Sequence, residues 1–91
     1  DLTWADVTGQ WSRRLRTPSD ISGAVVSALQ DRGAAARGGI QRGDIILEIN
    51  RTEITQATEA TSMLREVESG QTALFLVWRT GAEVFLQVTK E

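Results

Sequence analysis

One segment constrains this chain more than any other: Gly38-Gly39-Ile40-Gln41-Arg42-Gly43-Asp44-Ile45-Ile46-Leu47-Glu48-Ile49-Asn50. Paired glycines stop a helix, because glycine enters the left-handed C-cap conformation without a Cβ clash. The helix they close is short, Ala34–Arg37. Ile40 follows as an apolar plug, and Gly43 turns the chain into Asp44–Asn50, where Ile45, Ile46, Leu47 and Ile49 predict a central strand. A helix, a reversal and a buried strand packed this closely belong to a small mixed fold.

The rest of the chain supplies the partners such a strand needs. Leu2–Val7 alternates apolar and polar residues and predicts a strand with Leu2 and Trp4 on one face. Trp11–Leu15 fits one amphipathic helical turn, stopped by Thr17-Pro18-Ser19-Asp20. Ser22–Leu29, centred on Val25 and Val26, predicts a buried strand. Thr55 is placed to N-cap a helix running to about Ser69, with Gly70 at C′. On it Ala57, Ala60, Leu64 and Val67 recur at helical spacing beside Met63, and Glu59 and Glu66 take the opposite face. Thr72–Arg79 and Glu83–Lys90 form two strands joined across Thr80-Gly81-Ala82, with Val84, Leu86 and Val88 on one face. Ninety-one residues, 41% of them hydrophobic, allow one modest core. The expectation is a single α+β domain over residues 1–91, with five or six strands and two helices. Since the chain opens at Asp1 without methionine, it is expected to be a piece of a longer one.

Composition removes most chemistry. Without histidine or cysteine there is no Ser-His-Asp triad, no Cys-His pair and no ordinary zinc site. The serines lack a G-x-S-x-G context, and a serine–lysine dyad has only Lys90 to use. Glu66 and Glu68, two apart on a helix, diverge. No phosphate-binding glycine loop or metal loop is present. No catalytic residue, metal or cofactor is therefore expected. Ten basic and twelve acidic residues give a net charge of −2, which argues against nucleic acid as a partner. The longest apolar run, Ala73–Trp78, is too short to enter a membrane as a span. Arg42-Gly43-Asp44 spells an adhesion tripeptide, but it leads straight into a buried strand and reads as a turn. Arg13, Arg14 and Arg16 beside Trp11 read as a solvated face, or as a docking anchor if Trp11 is exposed.

The stretch from Gly23-Ala-Val-Val-Ser through Ala35-Ala36-Arg37-Gly38-Gly39-Ile40 to Asp44-Ile45-Ile46-Leu47-Glu48-Ile49-Asn50 resembles a bacterial PDZ domain. The family's pattern of strand, glycine-rich turn, strand, helix and hairpin is matched in order from about Leu2 to Val88. Ala34 and Arg42 stand where prolines are common, and Gly38 where alanine is usual. The element order is similar to the circularly permuted form in HtrA-like (Do-type) periplasmic serine proteases, in which the peptide-binding strand comes first. Asn50-Arg51 and the hairpin Leu76–Gly81 are most similar to the second PDZ domain of such proteases. The resemblance implies a small, partly closed antiparallel β-sandwich or barrel of five to six strands capped by two helices.

It also implies a function. An extended or C-terminal hydrophobic segment of an unfolded protein would add as a strand in the groove between the first strand and the Thr55–Ser69 helix. Its carboxylate would sit in a nest of backbone N–H groups at Asp1, where the family's pattern has glycine. Leu2, Thr3 and Trp4 would serve from the strand, and Ala57, Thr61 and Leu64 from the helix. Asp1 would repel a carboxylate, and Trp4 would shrink or fill the pocket. The partners implied are such peptides, together with the protease domain and other subunits of a parent serine endopeptidase in the periplasm or cell envelope. The alternative is a structural module with a closed groove that mediates assembly between domains or subunits.

Overall fold

Gly38 and Gly39 end the helix Ala34–Arg37 as a Schellman cap. The Gly39 N–H reaches Ala36 O and the Ile40 N–H reaches Ala35 O, each at 3.0 Å. Gly39 takes the left-handed turn at φ +100°, and Gly38 remains right-handed at −78°. Around this cap the computed structural model, which describes residues 2–8, 11, 13, 14, 17 and 21–91, runs β1 (Leu2–Asp6), β2 (Ala24–Leu29), α1 (Ala34–Arg37), β3 (Ile45–Ile49), β4 (Thr52–Glu53), α2 (Ala57–Glu66), β5 (Thr72–Arg79) and β6 (Ala82–Thr89). Asp1 and most of the expected turn at Thr17-Pro18-Ser19-Asp20 lie outside the described residues. So do Ser12, Leu15 and Arg16; Trp11, Arg13 and Arg14 are helical.

All pairings are antiparallel, in the order β1-β2-β3-β5-β6, with β4 beside β3. The sheet is open, with β1 and β6 at its edges. Both faces of its centre are covered, which is why β2 and β3 read as near-continuous apolar runs. On one face Val26, Ile46, Phe75, Val77 and Val88 pack under Ala34, Ala35, Ile40, Ala60 and Val67. On the other, Val25, Ile45 and Trp78 are covered by Ala5, Val7, Trp11, Ile21 and Leu47. Trp11 is therefore half-buried rather than exposed, which removes it as a free docking anchor. Arg14 lies over its ring at 5.1 Å from the centroid. The Arg42-Gly43-Asp44 turn ends in a side chain only 2% exposed at Asp44, as its position before β3 requires.

Most strand ends fall within a residue or two of the sequence expectation, and three boundaries that differ have a visible cause. The N-cap of α2 is Gln56, not Thr55. Glu59 Oε1 reaches back to accept the N–H groups of Thr55 (2.8 Å) and Gln56 (2.9 Å) and the Thr55 hydroxyl (2.5 Å), so Thr55 is held outside the helix. The helix also ends at Glu66 rather than near Ser69. Val67 turns extended at ψ 122° and buries its side chain, and Gly70 serves the next turn by donating to Lys90 O at 2.6 Å. The last strand starts at Ala82, because the reversal needs only Thr80 and Gly81, at φ +50° and +86°. The short strand β4 was not expected. Asn50 and Arg51, at φ +51° and +67°, make a two-residue reversal of the same kind without any glycine.

Candidate functional site

Among the described residues, strand β1 pairs with β2 on one side only, and it lies against α2. A bulge shapes it: Thr3 lies opposite Ala28 and Trp4 opposite Val26, which leaves Ser27 as the extra residue. The Ser27 hydroxyl donates to Thr3 O at 3.1 Å. By the two-residue alternation of a strand, Leu2 and Trp4 share the face that packs on the main core, while Ala5 packs on the opposite cluster.

Two side chains cross from β1 to α2. The Trp4 indole Nε1–H donates to Thr61 Oγ1 at 3.0 Å. Asp6 Oδ1 accepts the Ala57 N–H at 2.6 Å, one of the donors that a helix start leaves without an internal partner. A carboxylate there is also favoured by the positive end of the helix. The Thr61 hydroxyl donates in turn to Ala57 O at 3.3 Å. Position 6 meets 57 and position 4 meets 61, so strand and helix run in opposite directions. Leu2 stands at the far end of the strand, and Leu64 is further along the helix. Both are half-buried against the core.

Of the residues expected at the site, Trp4 and Thr61 are joined by a hydrogen bond, Ala57 is tied to β1 through Asp6, and Leu2 and Leu64 pack on the same core. Thr3 is on the strand but exposed, and Asp1 is outside the described residues. Two participants escaped sequence reading. Asp6 continues the alternation of Leu2 and Trp4, a signal that was there to find. Lys90 Nζ donates to Leu64 O at 2.7 Å and closes the C-terminal end of α2, a pairing that only the folded hairpin creates. At the other end of α2, the Thr55 hydroxyl, then the Thr55 and Gln56 N–H groups, hold the Glu59 carboxyl below the usual carboxylate range. The arrangement offers a strand edge, whose unpaired main-chain groups template another strand, beside a helix.

The family model for the PDZ domain matches residues 25–79. The chain belongs to the PDZ domain family. A PDZ domain is a recognition module and not a catalytic one. Among curated relatives, this PDZ domain is 34% identical over 68 residues, 75% of its length, to a probable periplasmic serine endoprotease DegP-like of Pseudomonas fluorescens. It is 31% identical over 71 residues, 78% of its length, to the protein of that name from Brucella suis. It spans 14% of each relative. Among solved structures, HtrA-type protease AlgW with decapeptide superimposes with a TM-score of 0.86 at 27% identity, over 97% of this chain and 27% of that one. The HtrA3 PDZ domain bound to a phage-derived ligand shares the fold, with a TM-score of 0.80 at 23% identity over 99% and 81% of the two chains.

Proposed function

We propose that this PDZ domain recognises extended or C-terminal hydrophobic segments by adding them as a strand to β1, beside α2, on behalf of an HtrA-like serine endopeptidase of the periplasm or cell envelope. The observation that carries the reading is the edge position of β1 with α2 alongside it. Main-chain pairing along that edge gives affinity for any extended segment, and the side chains of Leu2, Trp4, Ala57, Thr61 and Leu64 set its preference. The HtrA-type protease AlgW is known with a decapeptide and with a tripeptide, which is the class of ligand proposed. The periplasm is proposed from the relatives, which are named periplasmic. Residues 1–91 are proposed to be one such domain of a longer protein, and its protease domain and sister subunits are proposed as further partners.

A second reading has one observation in its favour. The Trp4–Thr61 hydrogen bond spans the groove, as in a module that is closed to peptides and used for assembly. Tryptophan fluorescence separates the two. A short hydrophobic peptide is titrated as free acid and as C-terminal amide, with Trp4→Phe removing the signal of the groove tryptophan from that of Trp11 and Trp78. Saturation by the free acid alone supports carboxylate capture beside Leu2, and saturation by both forms supports addition of internal segments. No response to either leaves assembly as the better account.

A further inference from the structure

We propose that the outer face of the β5–β6 hairpin docks a basic segment of a partner protein, with an apolar side chain on Phe85 and arginines on Glu48 and Glu53. Among the described residues Phe85 is the one large apolar side chain left in the open, 64% exposed in the middle of β6. It does not stand alone. Directly opposite residues of antiparallel neighbours share a face, and the register sets Phe85 against Leu76, Leu76 against Glu48 and Glu48 against Glu53. One row across β6, β5, β3 and β4 therefore passes from apolar to acidic. Leu76 is two residues from Trp78, so the row continues the sheet face of the Val25, Ile45 and Trp78 cluster. Beside it lies a depression of about 290 Å³, walled by Ile21, Leu47 and Leu76 and by Glu48, Glu53 and Glu83.

The acidic end of the row points to what covers the apolar end. Like charges directly opposite across two strands repel, and among the described residues Glu48, Glu53 and Glu83 make no ion pair. A partner that brings guanidinium groups relieves this repulsion while it buries Phe85, whereas an anionic membrane surface is repelled. Arginine suits the place better than lysine, because its guanidinium is more weakly hydrated and also stacks on an aromatic face. Neighbouring strands lie about 4.8 Å apart, so Glu48 is roughly 10 Å and Glu53 roughly 14 Å from Phe85 along the row. An extended segment laid across the strands presents a side chain on one face about every 7 Å. An apolar residue over Phe85 and Leu76 thus carries its neighbours two and four positions on to the two carboxylates, within an arginine's reach. The sheet has β1 and β6 at opposite edges, so this surface is separate from the strand-addition groove and does not depend on it.

The test is a heteronuclear NMR titration of the 91-residue chain with the N-acetylated, C-amidated peptide Gly-Ser-Leu-Ser-Arg-Ser-Arg-Ser-Gly, which carries no terminal carboxylate. Saturable shifts are expected at the amides of Glu48, Glu53, Leu76 and Phe85, with affinity falling as salt is added. Phe85→Ser and Glu53→Lys, both at exposed positions, should each weaken binding about tenfold or more, and each variant's own spectrum reports that the fold is kept. Glu53→Lys should at the same time raise the urea midpoint, because an opposite charge then faces Glu48. Absence of binding overturns the proposal, as do shifts confined to β1 and α2 or an affinity that neither variant alters. Self-association of the parent chain in sedimentation equilibrium, lost in Phe85→Ser, gives the face to a second copy and overturns it as well.

Discussion

Arg79 and Asp44 meet fork to fork. The guanidinium donates from Nε to Oδ1 at 2.8 Å and from Nη2 to Oδ2 at 2.7 Å, and Nη2 also reaches Gly39 O at 2.8 Å. Asp44 Oδ2 accepts the Gln41 N–H as well, at 2.8 Å. The pair ties the turn after α1 to strand β5, and the hydrogen bond to Asp44 raises the Arg79 pKa above its ordinary value. Arg79→Met leaves a buried carboxylate without its cation. It should destabilise the fold by about 2–4 kcal/mol in urea unfolding, less than for a wholly buried pair because 26% of the Arg79 side chain is exposed. Adding Asp44→Asn should recover part of that loss. A double variant no more stable than Arg79→Met would show that the stranded charge is not what the single variant suffers from.

Gly38 is needed for space and not for its backbone angle. Its φ is an ordinary −78°, yet a Cβ there would lie 2.6 Å from Gln87 O and 2.7 Å from Val88 Cγ2. Gly38→Ala should lift α1 from β6 at a cost of about 1–3 kcal/mol. Gly70→Ala is the contrasting variant, since its Cβ meets nothing within 4 Å and its strain comes only from φ +87°; about 1 kcal/mol is expected. Equal stability of the Gly38 variant and the parent in thermal unfolding would refute the steric account.

The contrast between these glycines shows what was legible beforehand. Gly39 announces a cap because the requirement is local: one residue, one positive φ. The alternation at Leu2 and Trp4 and the spacing of Ala57, Ala60, Leu64 and Val67 are local in the same sense, so both sides of the groove could be placed on the right elements. The pairing of Trp4 with Thr61 depends instead on the sheet order and the bulge at Ser27, which put position 4 against position 61. Asn50-Arg51 reverses the chain with no glycine to mark it, held by Asn50 donating to Leu74 O and accepting the Leu74 N–H. That anchor forms only once β5 is in place. A threonine hydroxyl reads as a cap at Thr55, whereas Glu59 accepts that hydroxyl and leaves Gln56 as the N-cap.

Glu59 makes the acid end of the stability profile a test of that cap. Hydrogen bonds from Thr55 and Gln56 lower its pKa in the folded chain below the ordinary 4.5. Its contribution is therefore complete above the unfolded value and is lost as the pH falls through the folded one. Urea midpoints of the parent should decline across that window. Glu59→Gln should start lower at neutral pH and decline less. Parallel pH profiles for the two would mean that the carboxylate adds nothing beyond a neutral acceptor.

Leu64 is the residue on which packing and recognition overlap. Its side chain is half-buried against the main core, so Leu64→Ala should cost about 1–2 kcal/mol, below the range for a fully buried leucine. If it also walls the end of the groove beside Leu2, the same variant should weaken free-acid peptide binding. A loosened helix could produce that weakening too, so a variant is needed that loosens α2 without touching the groove wall. Lys90→Met does this. It removes the ammonium from Leu64 O, 2.7 Å away, at an expected cost of about 0.5–1 kcal/mol, and it leaves every groove side chain in place. Weaker binding in Leu64→Ala with parent-like binding in Lys90→Met assigns the effect to the side chain. Equal weakening in both assigns it to the helix, and Leu64 then belongs to the core alone.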